Sequence, residues 1–221
     1  YYYNFVDTSS LHLCPRIMNY MGYKAASMGN HDIETGHAVY DRVVSQSHFP
    51  WLAANAIDKR TGESYFSPYY IYETEGVRIG VLGMITPAIP TWLPETLWKD
   101  MYFNDVEETC RRYVPMLKEE LGVDVLIGLM HLGHNSNIVA SDIEESGGEN
   151  IAMRIPGFDV VMLGHDHRPV SRKVMNIAGD SVLIMNPGAN GNLLSGGVIN
   201  LTNNNGRWEK SISRTLVDMK D

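Results

Sequence analysis

Three short polar turns hold the residues of this chain that are best suited to chemistry. They read Gly-Asn-His-Asp at 29–32, Met-His-Leu-Gly-His at 130–134 and Gly-His-Asp-His at 164–167. Each follows a stretch whose apolar pattern predicts a β-strand, at 23–28, 123–130 and 158–163. Because loops at the carboxyl ends of strands in an α/β sheet converge on one crevice, these side chains are expected to meet there. Such a mixed set of carboxylates, imidazoles and a neutral oxygen suits divalent cations that bind a phosphate.

The elements that must position these turns alternate between strand and helix first and form hairpins later. Strands at 69–74 and 77–85 flank a Glu-Gly pair, which predicts a β-hairpin. Asp105 can cap a helix that runs to residue 120 and ends at Gly122. The stretch 86–103 is rich in Pro and Trp and is predicted to be an irregular loop. After the third turn, strands joined by tight turns are predicted at 170–177, 181–185, 197–201 and 208–213.

The composition limits the classes of partner. The 221 residues carry a formal net charge of −8, which argues against a nucleic-acid polymer because that contact needs clustered Lys and Arg. A small phosphorylated substrate remains compatible, since metal ions can supply positive charge locally. Cys14 and Cys110 are interpreted as two free, half-buried thiols, with a single bridge left open. No apolar run reaches the ~18 residues of a membrane span, so no transmembrane segment is predicted.

The three turns, in this order and each behind a predicted strand, resemble the motifs of the calcineurin-like metallophosphoesterases. The likeness is to the branch of 5'-nucleotidases and 2',3'-cyclic-nucleotide 2'-phosphodiesterases. It implies an α/β fold, a four-layer α-β-β-α sandwich of two mixed sheets. The family's opening motifs, Asp-x-His and Gly-Asp, are not found upstream of Gly-Asn-His here. Residues 1–221 are therefore expected to be a partial catalytic domain that lacks its first strand or strands and the family's C-terminal nucleotide-binding domain.

The resemblance also implies a two-metal site in the intact enzyme. Asn30, His131 and His165 would hold one divalent ion, and His167 would hold the other. The donor types suit Zn, Mn, Fe or Co without distinguishing among them. Because the upstream motifs are absent, this chain is expected to hold no metal or one, with impaired activity.

Catalytic and substrate-binding roles follow from the same resemblance. His31 would donate a proton to the leaving oxygen, oriented by Glu34 three residues on, with the neighbouring Asp32 as the competing orienter. His134 would either orient its turn or touch substrate. Asn190 belongs to a stretch at 186–192 that resembles the family's glycine loop near the metals, and its glycines could equally make a turn only.

The function implied is hydrolysis of phosphate esters of nucleotides by a metal-activated hydroxide, with a histidine as general acid. The substrate would be a nucleotide or a cyclic nucleotide, and the protein would be exported to the periplasm or the cell surface. A homo-oligomer formed through an exposed sheet edge is a further expectation. Two alternatives stay open: a non-catalytic metal-binding or interaction module on the same scaffold, and a sugar-nucleotide or thiosulfate-ester hydrolase.

Overall fold

The structure is a computed structural model that describes residues 2–135, 139–140, 143–144, 147–205 and 207–219. Its strands are β1 (Ala26–Ser27), β2 (Trp51–Leu52), β3 (Ala56–Asp58), β4 (Tyr69–Thr74), β5 (Val77–Ile85), β6 (Met101–Phe103), β7 (Val125–His131), β8 (Val139–Ala140), β9 (Ile143–Glu144), β10 (Val160–Leu163), β11 (Val170–Met175), β12 (Ser181–Asn186), β13 (Leu193–Asn204) and β14 (Arg207–Asp218). Its α-helices are α1 (Leu13–Met21), α2 (Asn30–Ile33), α3 (His37–Gln46), α4 (Ile89–Trp92), α5 (Val106–Pro115) and α6 (Gly148–Arg154). Other helical turns cover Tyr2–Val6, Glu95–Leu97 and Met116–Glu120.

A six-stranded mixed sheet forms the centre of the described part, in the order β11-β12-β10-β7-β5-β4. Its four inner strands are parallel, and the two edge strands run antiparallel to their neighbours. The inner strands are apolar along most of their length, as expected for parallel strands that are covered on both faces. Ile85 at the end of β5 pairs with His131 at the end of β7, so the carboxyl ends of these strands share one edge.

Helices α5 and α6 cover one face of this sheet. Their buried side chains join a core cluster with sheet residues such as Leu126 and Val161, both fully buried. The Asp105 carboxylate caps α5 by accepting the Glu108 N–H at 2.7 Å, which satisfies one of the donors left free at a helix start. The helix continues past Pro115 as the turn Met116–Glu120.

The opposite face is covered by the long β13–β14 hairpin. Ile199 and Ile212 pack against a buried cluster of Val160, Leu183 and Met185. The short β1–β2 pair approaches the sheet near β5, where Ser27 Oγ donates to the Met84 carbonyl at 3.1 Å. This pair, with α2 and α3, encloses a second core around Met28 and Tyr40.

The α/β class predicted from the sequence is confirmed, and the hairpin at 69–85 has the predicted bounds. Within the described ranges, the strands form one six-stranded mixed sheet and four two-stranded pairs, so the four-layer arrangement of two mixed sheets stays a prediction. The strand before the first turn is only two residues long. The prediction of an irregular loop at 86–103 was wrong in part, since that stretch contains α4 and β6. Over the residues the structure describes, no helix is long and apolar enough to cross a bilayer.

Candidate metal and catalytic site

The first polar turn is shaped by a glycine and a carboxylate. Gly29 precedes α2, and its backbone N–H donates to Asp32 Oδ2 at 2.8 Å. A Cβ at position 29 would lie 2.9 Å from Cε1 and 3.0 Å from Nδ1 of His131, closer than side-chain packing allows. Gly29 therefore lets the first and second turns approach each other, and Asp32 fixes the backbone that presents Asn30.

Three potential metal-ligating atoms converge beside this glycine. His131 Nε2 lies 2.8 Å from Asn30 Oδ1, and His165 Nδ1 lies 3.2 Å from the same oxygen. The two imidazoles meet edge to face, with ring centroids 5.1 Å apart. The indole of Trp92, at the end of α4, packs on His165 with a centroid distance of 5.1 Å and an interplanar angle of 31°. The structure thus brings together three predicted ligands, although His131 and His165 lie 101 and 135 residues after Asn30 in the chain.

The electrostatics of this group favour neutral imidazole. Burial lowers the pKa of His131 to about 4, and the neighbouring His165, His31 and His167 add to the shift. A neutral ring keeps a lone pair on one nitrogen, which is the form that binds a metal ion. Two imidazoles and an amide oxygen fit part of the coordination shell of a borderline divalent ion. Nowhere in the described ranges do three His, Cys, Asp or Glu side chains cluster as possible ligands.

Two predicted residues lie outside this convergent set. His167 is exposed and has a left-handed backbone, with φ of 58°. It is near enough for its charge to help lower the pKa of His131. Asn190 is also exposed and left-handed, with φ of 61°. Its stretch follows β12, whose last residue, Asn186, faces the third turn.

The predicted general acid is paired with the carboxylate at the expected spacing. His31 Nδ1 lies 2.8 Å from Glu34 Oε2, because residues three apart on the one-turn helix α2 share a face. Both side chains are exposed. Asp32, the competing orienter, instead accepts the Gly29 N–H, and burial raises its pKa. Glu34 rather than Asp32 therefore contacts His31.

Asp166 is the residue that the sequence interpretation missed. Its Oδ2 lies 2.5 Å from His134 Nδ1 and accepts the His134 backbone N–H at 2.9 Å. Its Oδ1 accepts from Asn186 Nδ2 at 2.8 Å. Burial raises the pKa of Asp166, but the hydrogen bonds from His134 and Arg168 outweigh burial and leave that pKa below its usual value. The available signal was an acidic residue between two histidines, to which the sequence interpretation gave no role.

A cleft of about 870 Å³ lies elsewhere, at the amino ends of β7, β10 and β12. Its lining includes Lys118, Lys210 and Asp159, and none of the predicted site residues. This cleft and the candidate metal ligands therefore lie at opposite ends of the sheet.

Comparison with known sequences matches residues 4–169 to the family described as calcineurin-like phosphoesterase. The chain belongs to that family. Among curated relatives, the 2',3'-cyclic-nucleotide 2'-phosphodiesterase/3'-nucleotidase of Salmonella typhimurium is 29% identical over 235 residues, which cover 94% of this chain and 35% of the relative. The 5'-nucleotidase of Vibrio cholerae is 29% identical over 163 residues, covering 72% of this chain and 29% of the relative. The chain thus spans about a third of the length of these phosphoesterases.

A solved structure gives the same family. The calcineurin-like phosphoesterase YfkN of Bacillus subtilis superposes with a TM-score of 0.79 at 25% identity, covering 96% of this chain and 68% of that one. The calcineurin-like fold of this chain is therefore shown both by sequence and by structure. The relatives are named as phosphoesterases of nucleotides, and the family, one of metallophosphoesterases, implies divalent metal ions in general.

Proposed function

We propose that this protein hydrolyses phosphate esters of nucleotides in a reaction that depends on divalent metal ions, with His31 as the general acid. The observation that carries the proposal is the convergence of His131 Nε2 and His165 Nδ1 on Asn30 Oδ1, within 3.2 Å. His31, which pairs with Glu34, directly follows Asn30 in the sequence. Metal ligands beside a histidine held by a carboxylate are the arrangement that phosphoester hydrolysis needs.

Asn30, His131 and His165 would hold one ion, and His167 is proposed as a ligand of a second. A bound divalent ion would polarise a phosphoryl oxygen and lower the pKa of a bound water. Burial keeps the His131 ring neutral, so that its lone pair is available near neutral pH. Asn30 contributes an oxygen without adding charge, which leaves the net charge of the site positive when metal is bound and suited to a phosphate.

His31 has the second role. With Nδ1 against the Glu34 carboxylate at 2.8 Å, the Nδ1–H donates to the carboxylate and the ring is held in one orientation. The protonated Nε2 is then free to donate to the leaving alkoxide. Since both side chains are exposed, the pair adds little to stability, on the order of 1 kcal/mol or less. We propose that the pair serves to orient the His31 ring.

The donor set also sets an expectation for metal affinity. Three neutral donors without a carboxylate hold a divalent ion less firmly than a set that includes one, because nothing offsets the charge of the ion. We therefore expect the chain as given to bind no ion or one, and to turn over phosphodiesters slowly.

The names of the relatives support a nucleotide or cyclic nucleotide as the substrate class. Export to the periplasm or cell surface and a homo-oligomer formed through a sheet edge are proposals that rest on family resemblance and on edge-strand behaviour.

The test is hydrolysis by protein stripped of metal and then supplied with Mn²⁺, Zn²⁺ or Co²⁺. We expect a 2',3'-cyclic nucleotide and bis-p-nitrophenyl phosphate to be hydrolysed only after metal is added, and His165→Ala to weaken both binding and turnover. His48→Ala, which removes an exposed histidine that is none of the predicted ligands, is the matched control. Tight metal binding with no turnover, in this chain and in any longer form of the protein, would favour the non-catalytic alternative.

A further inference from the structure

We propose that Asp166 is a positioning residue that holds the second and third polar turns, through His134, in the geometry that the candidate metal ligands need. Its carboxylate accepts hydrogen bonds from His134, Arg168 and Asn186, and we infer that it acts on the candidate ligands through these neighbours. The inference concerns the site of the proposed function and rests on that function for its purpose, although the clamp itself is testable without metal or substrate.

The carboxylate of Asp166 joins three loops. Oδ2 accepts the backbone N–H of His134 at 2.9 Å and lies 2.5 Å from His134 Nδ1, which ties the third turn to the loop after β7. Oδ1 accepts the Arg168 N–H at 3.2 Å and the Asn186 side-chain N–H at 2.8 Å, which adds the end of β12. One side chain thus connects the carboxyl ends of three neighbouring strands of the sheet.

Asn186 extends the connection. It is fully buried, and its Nδ2 also donates to the Gly164 carbonyl at 3.2 Å. Its Oδ1 accepts the Gly188 N–H at 2.8 Å. The network therefore runs from His134 through Asp166 and Asn186 to the loop after β12, and each buried polar atom named in it has a partner. Satisfied networks of this kind favour a single arrangement of the groups they join.

The backbone beside Asp166 explains why a clamp is needed. His165 and His167, on either side, have φ values of 67° and 58°. Residues with a Cβ rarely adopt this left-handed conformation, and they keep it only where surrounding contacts enforce it. The four hydrogen bonds that Asp166 accepts are the contacts at the centre of this turn. Without them the turn is free to relax, and the His165 ring would leave its place 3.2 Å from Asn30 Oδ1.

The close fit between the turns supports the same role. A Cβ at Gly133 would lie 3.2 Å from the Cβ of Asp166, so the two loops touch where the carboxylate is anchored. The side chains of His134 and Asp166 are only 15% and 17% exposed. By contrast, those of His31 and Glu34 are 74% and 55% exposed. The enclosed pair suits a fixed structural contact, and the exposed pair suits proton exchange with a substrate.

The first test reads the contact directly in metal-free protein. In proton NMR we expect a slowly exchanging, downfield Nδ1 proton, assigned to His134 by its loss in His134→Gln. Asp166→Ala should abolish this signal, and Asp166→Asn should retain it with a shift, because the amide oxygen still accepts from the ring. Absence of the signal in the wild type, or its persistence in Asp166→Ala, would overturn the proposal.

The second test separates positioning from general stability. Asp159→Asn is the matched control, since Asp159 also accepts one backbone N–H, from Leu126 at 2.9 Å, and pairs with a cation at 14% exposure. We expect Asp166→Ala to weaken Zn²⁺ binding by about 10–100-fold, as loss of groups that orient ligands does elsewhere. Asp166→Asn should be intermediate, and Asp159→Asn should bind Zn²⁺ as the wild type does despite lower stability.

The outcomes distinguish this inference from the proposed function. Equal weakening of Zn²⁺ binding in Asp159→Asn and Asp166→Ala would show general loosening and overturn the positioning role. A wild type that binds no Zn²⁺ would match the lower of the two occupancies expected for this chain, and the NMR signal of His134 alone would then decide whether the clamp exists.

Discussion

The carboxyl end and the amino end of the six-stranded sheet both carry ionisable side chains, and the two groups are built differently. At the carboxyl end, two imidazole nitrogens and an amide oxygen face one another within 3.2 Å. At the amino end, charges of opposite sign are paired, with Lys210 Nζ donating to both oxygens of Asp159 at 2.8 and 2.9 Å. The first group concentrates potential metal ligands around one point, and the second neutralises charge.

The difference shows that the volume of a cleft does not indicate where the candidate functional residues lie in this molecule. The 870 Å³ cleft lies at the neutralised end, where Lys210 of β14 is paired with Asp159. Pocket size usually gives the first hypothesis for a site, but here the strained backbone and the convergent candidate ligands are at the other end. Strain at His165 and His167 is a stronger indication of function because it persists only where the fold enforces it.

The largest expected effect is at the carboxyl end. In metal-loaded protein, His31→Ala should lower kcat for a cyclic nucleotide by about 10²–10⁴-fold with a small change in KM, since general-acid assistance acts in the transition state. Steady-state kinetics would measure both parameters. Lys210→Met at the amino end is the matched control and should leave kcat unchanged. An unaltered kcat in His31→Ala would remove this histidine from the mechanism and break the comparison.

A second substitution perturbs the convergent group without removing a ligand. Gly29→Ala places a Cβ 2.9 Å from Cε1 of His131, so the ring must move. We expect a loss of about 1–3 kcal/mol in the free energy of unfolding, as for other overpacked sites, together with weaker metal binding. Gly196→Ala is the matched control, because a Cβ there meets only one atom, at 4.0 Å. Gly179→Ala is not used, because a φ of 86° at Gly179 would strain any residue with a Cβ. Denaturant unfolding and metal titration of both variants would test the expectation, which fails if Gly29→Ala matches Gly196→Ala.

The convergent group could be predicted from the sequence because each member follows a strand. Asn30 and His165 follow β1 and β10, and His131 is the last residue of β7. Because the carboxyl ends of parallel strands share one edge of a sheet, such residues are expected there. The choice between Glu34 and Asp32 could not be made, because both lie within one helical turn of His31. Only the structure shows that the Asp32 carboxylate accepts a hydrogen bond from the Gly29 N–H.

The His134–Asp166 contact was beyond sequence reasoning for a different reason. It joins residues 32 positions apart, and it depends on the parallel register of β7 and β10 and on two left-handed residues that no pattern of polarity reveals. The layer arrangement was also beyond reach in detail. Alternation of strands and helices predicts the α/β class, but not that β1 has two residues or that α4 lies within the Pro-rich stretch.

The ion pair at the amino end should have a smaller effect, on stability alone. Lys210→Met leaves the Asp159 carboxylate, 14% exposed, without its cation. We expect a loss of about 1–2 kcal/mol in the free energy of unfolding, typical of a charged hydrogen bond that is partly enclosed. Hydrogen exchange should rise in β14, where Lys210 lies, and stay unchanged at His131. Faster exchange at both ends would mean that the two regions are coupled, contrary to the comparison.

The smallest expected effect concerns pH. Burial, with the positive charge of Lys210 next, lowers the pKa of Lys118 from its ordinary value of 10.5. The folded state therefore holds this proton less firmly than the unfolded state, and the charged lysine penalises folding at neutral pH. That penalty is full below the folded pKa and disappears as pH rises from the folded pKa to 10.5. Relative to Lys118→Met, the wild type should thus gain stability across this alkaline interval. Melting temperatures of both proteins from pH 7 to the end of that interval would measure the difference, with Lys173→Met as a control for removing a charge from the same cleft. A difference in melting temperature that stays constant with pH would show that Lys118 is as well solvated in the folded protein as in the unfolded chain. The charged side chains at the amino end would then be less enclosed than their pairing implies.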